Sequence, residues 1–390
     1  MLCVNRVPKI FFQKSTKQKQ PRSKQGTFSS TKITTTKNNN HLYPDRVYLL
    51  FPSFPIKQNK KKEQHYNTTR TFSTMDKDVI VKGRRKDSIE QFIGSPQLLL
   101  EHGLSQLRYM ILVEGLSIPE GYDQCPYRTY VWCILSRVPP FSTENYLQLL
   151  AKSQEMLPES LSTKIKNDTF RTLMNDKKFH LKVDEESLIR ILSCIGITTK
   201  VGYVQGLNVL LAPIAYVCYK SEPQAFAILR NLITTHIPLY ITPNMEGVHT
   251  GLHLVDTVLK IIDPILSDYL DSKFLKAEIY ALPSILTLCA CTPPLKSVLK
   301  LWDFLFAYGT HMNVLFVVAQ LIINRSTILE SDQPMKILRT WPNLEESEII
   351  KLSLSFIPEL PKTLYDLIAR HGYDKRVPGE LARFLATNKM

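Results

Sequence analysis

From about Asp87 onward the chain alternates apolar and polar positions with a helical period. Leu188, Ile191, Leu192 and Ile195 fall at i, i+3, i+4 and i+7, and Leu315, Val318, Ala319 and Ile322 do the same. Leu254, Val258, Ile261 and Ile265 continue the pattern over a longer stretch. Such stripes predict helices that turn one face to a core. Start signals agree. Asp184 is placed to cap the helix that runs through Ile195. Ser221-Glu222-Pro223-Gln224 has the form of a capping box, with proline in the first turn. No run of alternating strands, no Asn-Gly or Asp-Gly hairpin turn and no fixed repeat period is found. The prediction is one all-α domain over residues 87–386, with roughly a dozen or more helices.

The 390 residues suffice for a large domain, and a hydrophobic fraction of 44% permits a sizeable core. The formal charge of +14 would suggest a nucleic-acid partner, but it is unevenly placed. Residues 1–74 hold fifteen Lys and Arg against Asp45 and Glu63 alone, leaving 34 basic and 33 acidic residues for the rest. The predicted domain is near neutral and shows no basic stripe, so no nucleic acid is expected as a partner. Residues 1–86 read as a basic, low-complexity, disordered extension, with Thr34-Thr35-Thr36-Lys37-Asn38-Asn39-Asn40 and Lys60-Lys61-Lys62 as its clearest tracts. Three origins stay open for residues 1–74: a targeting presequence, a basic arm, or an upstream stretch preceding a true start at Met75. Cys194, Cys218, Cys289 and Cys291 lie in apolar runs and no zinc-type spacing occurs, which suits reduced thiols in a cytoplasmic protein. The most apolar run, about Val314–Ile323, is too short to span a bilayer.

Much enzyme chemistry is missing. There is no GxxxxGK[ST] loop, no GxSxG and no HExxH. His249 and His253 have the i, i+4 spacing of zinc ligands, with Glu246 and Asp256 nearby. No base follows His249 and no third His or Cys is close, so an ordinary helix face is expected and no metal.

Two strings remain. In Ile165-Lys166-Asn167-Asp168-Thr169-Phe170-Arg171-Thr172, Asp168 and Arg171 share a helix face. That pair is either a surface ion pair or an arginine held by a carboxylate to reach a phosphate, since guanidinium is planar, charged and bidentate. In Tyr203-Val204-Gln205-Gly206-Leu207-Asn208, Gln205 sits at a turn bracketed by Gly202 and Gly206. It is either a solvated residue at a helix start or a carboxamide held where it can orient a water, accepting from the water and donating to a phosphate oxygen.

Together, and in this order, the strings resemble the IxxDxxR and YxQG motifs of the TBC (Tre–Bub–Cdc) domain, whose members activate GTP hydrolysis by Rab and related small GTPases. Leu107-Arg108 through Gly115, Arg128, Trp132, and Leu301-Trp302-Asp303 with Phe306 and Gly309 join the resemblance. It implies a V-shaped, two-lobed helical fold. It implies Arg171 and Gln205 as catalytic residues supplied in trans, with Asp168 orienting the arginine. Tyr203, Gly206 and Asn208 would shape the glutamine turn. The partner is then a Ras-like or Rab small GTPase in its GTP state, and GTP and Mg²⁺ are carried by that partner, with no cofactor on this chain. One stretch departs from the family. Where members carry an aromatic-rich segment such as WFLTLF, this chain has Tyr280-Ala281-Leu282-Pro283-Ser284-Ile285-Leu286. Ser88-Ile89-Glu90, Leu98-Leu99-Leu100, Lys166-Asn167-Asp168-Thr169, Ala212-Pro213, Ile262-Asp263-Pro264 and Trp302-Asp303-Phe304-Leu305-Phe306-Ala307-Tyr308-Gly309 resemble the Bub-type subgroup of the spindle-position checkpoint. That subgroup implies control of mitotic exit and septation, a second, non-TBC subunit and a place at the spindle pole body. A Rab-directed activator in membrane traffic and a non-catalytic scaffold are the alternatives.

Overall fold

A computed structural model of the protein describes residues 100–388. The extension assigned to residues 1–86, and the first part of the predicted domain, lie outside the described residues. Nineteen α-helices follow one another without a strand among the described residues. They are α1 (Leu100–Val113), α2 (Arg128–Leu135), α3 (Thr143–Met156), α4 (Glu159–Phe170), α5 (Lys177–His180), α6 (Glu185–Thr198), α7 (Leu207–Val217) and α8 (Glu222–Asn231). After a π turn and a 3₁₀ turn come α9 (Glu246–Ile262), α10 (Pro264–Ser272), α11 (Ala277–Tyr280), α12 (Leu282–Leu286), α13 (Leu295–Tyr308) and α14 (Asn313–Ile323). The chain closes with α15 (Arg325–Glu330), α16 (Pro334–Arg339), α17 (Glu346–Phe356), α18 (Lys362–Arg370) and α19 (Val377–Asn388).

Two packing groups result, as the two-lobed reading expects. In the first, α6 packs on α3, α4, α7 and α8. In the second, α9 and α14 pack on each other and on α10, α11, α12 and α17. Helix α13 touches α1, α2 and α7 and also α17, and so joins the groups. The stripe Leu188, Ile191, Leu192 and Ile195 is buried in α6. Asp184 caps that helix, its Oδ1 accepting from Ser187 N at 2.6 Å. The Val314–Ile323 run is α14, apolar all round because neighbours cover nearly every face. Among the described residues no helix is long and apolar enough to cross a membrane.

Two local expectations are corrected. The stripe through Leu254, Val258 and Ile261 does not reach Ile265, which is exposed. Asp263 ends α9 and starts α10, its Oδ1 accepting from Leu266 N at 3.0 Å while its carboxylate pairs with Arg325. The Asp-Pro dipeptide is a helix start, and it resets the period. Second, Ser221 is the N-cap of α8 but its side chain caps nothing. Gln224, the expected reciprocal partner, instead donates to Cys133 Sγ at 3.1 Å and accepts from Phe141 N at 3.4 Å. Tertiary partners won over the local box.

The joint between α2 and α13 is polar and buried. Arg128 Nε and Nη2 donate to Asp303 Oδ1 and Oδ2 at 3.0 and 3.1 Å, and Trp132 Nε1 donates to Asp303 Oδ1 at 2.7 Å. Trp132, Trp302 and Phe306 pack around it in tilted and edge-on pairs, with centroids 5.0–5.8 Å apart. Thus the residues that carry the outer parts of the resemblance meet as one core cluster.

Candidate functional site

Helix α4 and the turn that follows it have a narrow inward face. Ile165, Asp168, Thr169 and Thr172, at i, i+3, i+4 and i+7, are buried. The residues between them, Lys166, Asn167, Phe170 and Arg171, are therefore turned outward and exposed. Arg171 stands at the C-cap, just beyond the last helical residue. Its Nη2 donates to Asp168 Oδ1, with the arginine side chain 59% exposed and the aspartate 3%. This is not the surface ion pair that spacing alone allows. The carboxylate belongs to the interior and the guanidinium to solvent.

Asp168 is held from behind by residues thirty-five and forty positions away. Tyr203 Oη donates to Asp168 Oδ2 at 2.8 Å. Burial and the adjacent Asp168 carboxylate push the Tyr203 hydroxyl well above its usual range, so it stays a donor. Asn208 Nδ2 donates to the Asp168 carbonyl oxygen at 3.1 Å and to Thr172 Oγ1 at 2.9 Å. Thr172 Oγ1 in turn donates to the same carbonyl at 2.8 Å. Asn208 Oδ1 accepts from Gly206 N at 3.2 Å, which closes the loop around Gln205. The arginine and the glutamine turn thus share one buried knot: Asp168, Thr172, Tyr203 and Asn208. Buried polar groups satisfied in this way fix a single geometry.

Gln205 is exposed, between Tyr203 and Gly206, which are both buried. Gly206 is the N-cap of α7 with φ +104°, and a Cβ there would lie 2.8 Å from Leu286 Cδ2 and 3.2 Å from Leu286 Cγ. Glycine is needed for the backbone and for the close approach of α12. Gly206→Ala is expected to cost about 1–3 kcal/mol of stability and to displace Gln205. A thermal melt reads the first and a GTP hydrolysis assay the second; an unchanged melting temperature would refute this account of the glycine.

Every site residue expected from the sequence falls in this region: Arg171 and Gln205 outside, Asp168, Tyr203, Gly206 and Asn208 inside. Two members were missed. Thr172 lies at i+4 from Asp168 on the buried face, a signal present in the spacing. Leu286 lies in the departing stretch 280–286 and meets the Gln205 turn across eighty residues, which no local pattern discloses. His249 and His253 sit on the outer face of α9, where His249 Nδ1 lies 3.1 Å from Glu278 Oε1 and His253 Nε2 4.0 Å from it. Asp256 accepts from the backbone of Ala277 at 3.0 Å instead of joining them. Among the described residues no group of side chains is arranged to hold a metal ion.

An all-helical domain with an exposed arginine and an exposed glutamine on one buried knot has the features of a GTPase activator of the TBC class. The family model described as Rab-GTPase-TBC domain matches residues 125–329, and the chain belongs to that family. Among curated proteins it is similar to the mitotic check point protein BUB2 of Saccharomyces cerevisiae, 47% identical over 74% of this chain and 97% of that one. It is also similar to cell division control protein 16 of Schizosaccharomyces pombe, 44% identical over 70% of this chain and 89% of that one. The solved Ypt/Rab-GAP domain of Gyp1p shares the fold, with a TM-score of 0.58 at 19% identity, over 70% of this chain and 99% of that one. The Bub-type resemblance is borne out by the first two relatives.

Proposed function

We propose that this chain activates GTP hydrolysis on a Ras-like small GTPase in a mitotic checkpoint, with Arg171 and Gln205 supplied in trans. The observation that carries the proposal is the shared knot: both side chains reach solvent from one rigid, buried base. Arg171 neutralises charge that develops on the transferred phosphoryl group. Gln205 orients the attacking water by accepting a hydrogen bond from it and donating one to a phosphate oxygen, a role the GTPase's own glutamine otherwise fills. Asp168 restricts the arginine rotamer, and Tyr203 and Asn208 hold Asp168. GTP and Mg²⁺ stay with the GTPase. The similarity to a mitotic check point protein and a cell division control protein supports the checkpoint setting. A second, non-TBC subunit and a place at the spindle pole body complete the proposal.

Single-turnover GTP hydrolysis tests it, with Ras-like GTPases of the mitotic-exit pathway and a Rab panel, each with and without the second subunit. Hydrolysis on a Ras-like GTPase should rise in the presence of the chain. Asp168→Ala should lower the rate less than Arg171→Ala, because it frees the arginine without removing it. Stimulation confined to Rabs would overturn the partner; none on any GTPase would overturn the activity.

A further inference from the structure

In the chain, Arg171 lies between two large apolar residues whose side chains the fold leaves in water. Phe170, the last residue of α4, is 67% exposed, and Met174, three residues past the arginine, is 58% exposed. The core does not require either of them, since the inward positions here are Ile165, Asp168, Thr169 and Thr172. Nor is the segment loose. Thr172 N donates to Thr169 O at 2.9 Å and Asp176 N to Leu173 O at 2.8 Å, two turns in succession. Leu173 takes a left-handed φ of +47°, and its carbonyl lies 3.2 Å from His180 Nε2. Asp176 then caps α5, its Oδ1 accepting from Phe179 N at 3.0 Å. Two exposed apolar side chains are therefore carried on a built platform, one before and one after the arginine in the chain. Lys166, Lys177 and Lys178 on the same stretch of chain are exposed as well. Exposed apolar side chains with charged neighbours suit a docking surface.

We propose that Phe170 and Met174 form an apolar collar around Arg171 that seats on the surface of the small GTPase beside its nucleotide and helps choose which GTPase is accepted. The inference rests on the proposed function. An arginine side chain is short beside a GTPase. A partner that takes Arg171 into its nucleotide pocket must come close to the backbone of α4, and so must cover the residues that flank it. That continuity singles out the GTPase as the occupant. The collar touches no phosphate, so its contribution is to affinity and selection, the same in the ground state as in the transition state.

The test is single-turnover hydrolysis over a range of GTPase concentrations with Phe170→Ala, Met174→Ala and the double variant, and with Arg171→Ala alongside. The double variant should raise KM roughly ten-fold and leave kcat unchanged. Arg171→Ala should do the reverse. Phe170→Leu should recover most of the KM, which a purely structural defect would not show. Leu147→Ala, another exposed apolar site, should leave KM alone. An unchanged KM in the double variant, with Arg171→Ala inactive, would overturn the collar and leave the proposed function standing. Full activity of Arg171→Ala would overturn the reading beneath it. Light scattering covers the other occupant: an unchanged KM with a wild-type dimer that becomes monomeric in the double variant assigns the patch to a second copy and rejects the proposal.

Discussion

Arg171→Ala should slow stimulated GTP hydrolysis roughly 10³–10⁵-fold, equivalent to about 4–7 kcal/mol of barrier. The same change should leave the fold nearly as stable as before. Breaking a fully buried pair costs about 3–5 kcal/mol, and Asp168 is buried, so this needs argument. The guanidinium is 59% exposed, and water can reach Asp168 Oδ1 from the side it vacates. The other oxygen keeps its Tyr203 donor at 2.8 Å. The expected loss is therefore close to that of an exposed pair, about 1 kcal/mol or less. Catalytic loss exceeds stability loss by several-fold in energy, so rate and melting temperature separate the two roles. A melt shifted far downward with activation intact would mean that Arg171 is structural. Arg171→Lys should recover little, because an ammonium keeps the charge but not the planar, bidentate fork.

Asp303→Ala is expected to have the largest effect on stability. It strands Arg128, which is 1% exposed, and removes the acceptor of Trp132 Nε1 in the joint between α2 and α13. An uncompensated buried charge costs about 3–5 kcal/mol. The cavity beside Trp132, Trp302 and Phe306 adds to it. Urea unfolding monitored by tryptophan fluorescence measures this as a fall in midpoint, given an unchanged slope. Because α13 joins the two packing groups, the loss should extend to both. A change below about 1 kcal/mol would mean that water or relaxation satisfies Arg128, against its burial. Replacing Arg128, Trp132 and Asp303 together by apolar residues should cost less than Asp303→Ala alone, since no charge is then stranded.

Periodicity was enough for the helices and for much of the core. The α6 stripe and its Asp184 cap are local facts, and they stand in the fold as spacing predicts. Ile265 and Ser221 show where local reading stops. In one case an Asp-Pro start resets the helix; in the other Cys133 and Phe141 take the side chain that a box would use. The site divides in the same way. Arg171 beside Asp168 and Gln205 beside Gly206 can be read from neighbours in the chain. The burial that makes Asp168 an internal anchor cannot. It depends on Tyr203, in the turn before α7, and on Asn208, in the first turn of α7. The contact of Leu286 with the Gly206 position depends on α12. Arg128 and Asp303 are 175 residues apart, and nothing local tells that they form one ion pair.

The central claim is that one knot delivers two working side chains to a GTPase. Single-turnover hydrolysis, with a responsive Ras-like GTPase at saturating concentration, tests it through wild type, Arg171→Ala and Gln205→Ala. The account expects strong stimulation by wild type, near-complete loss in both variants, and melting temperatures within a few degrees of one another. Stimulation that survives either substitution at the wild-type rate would contradict it.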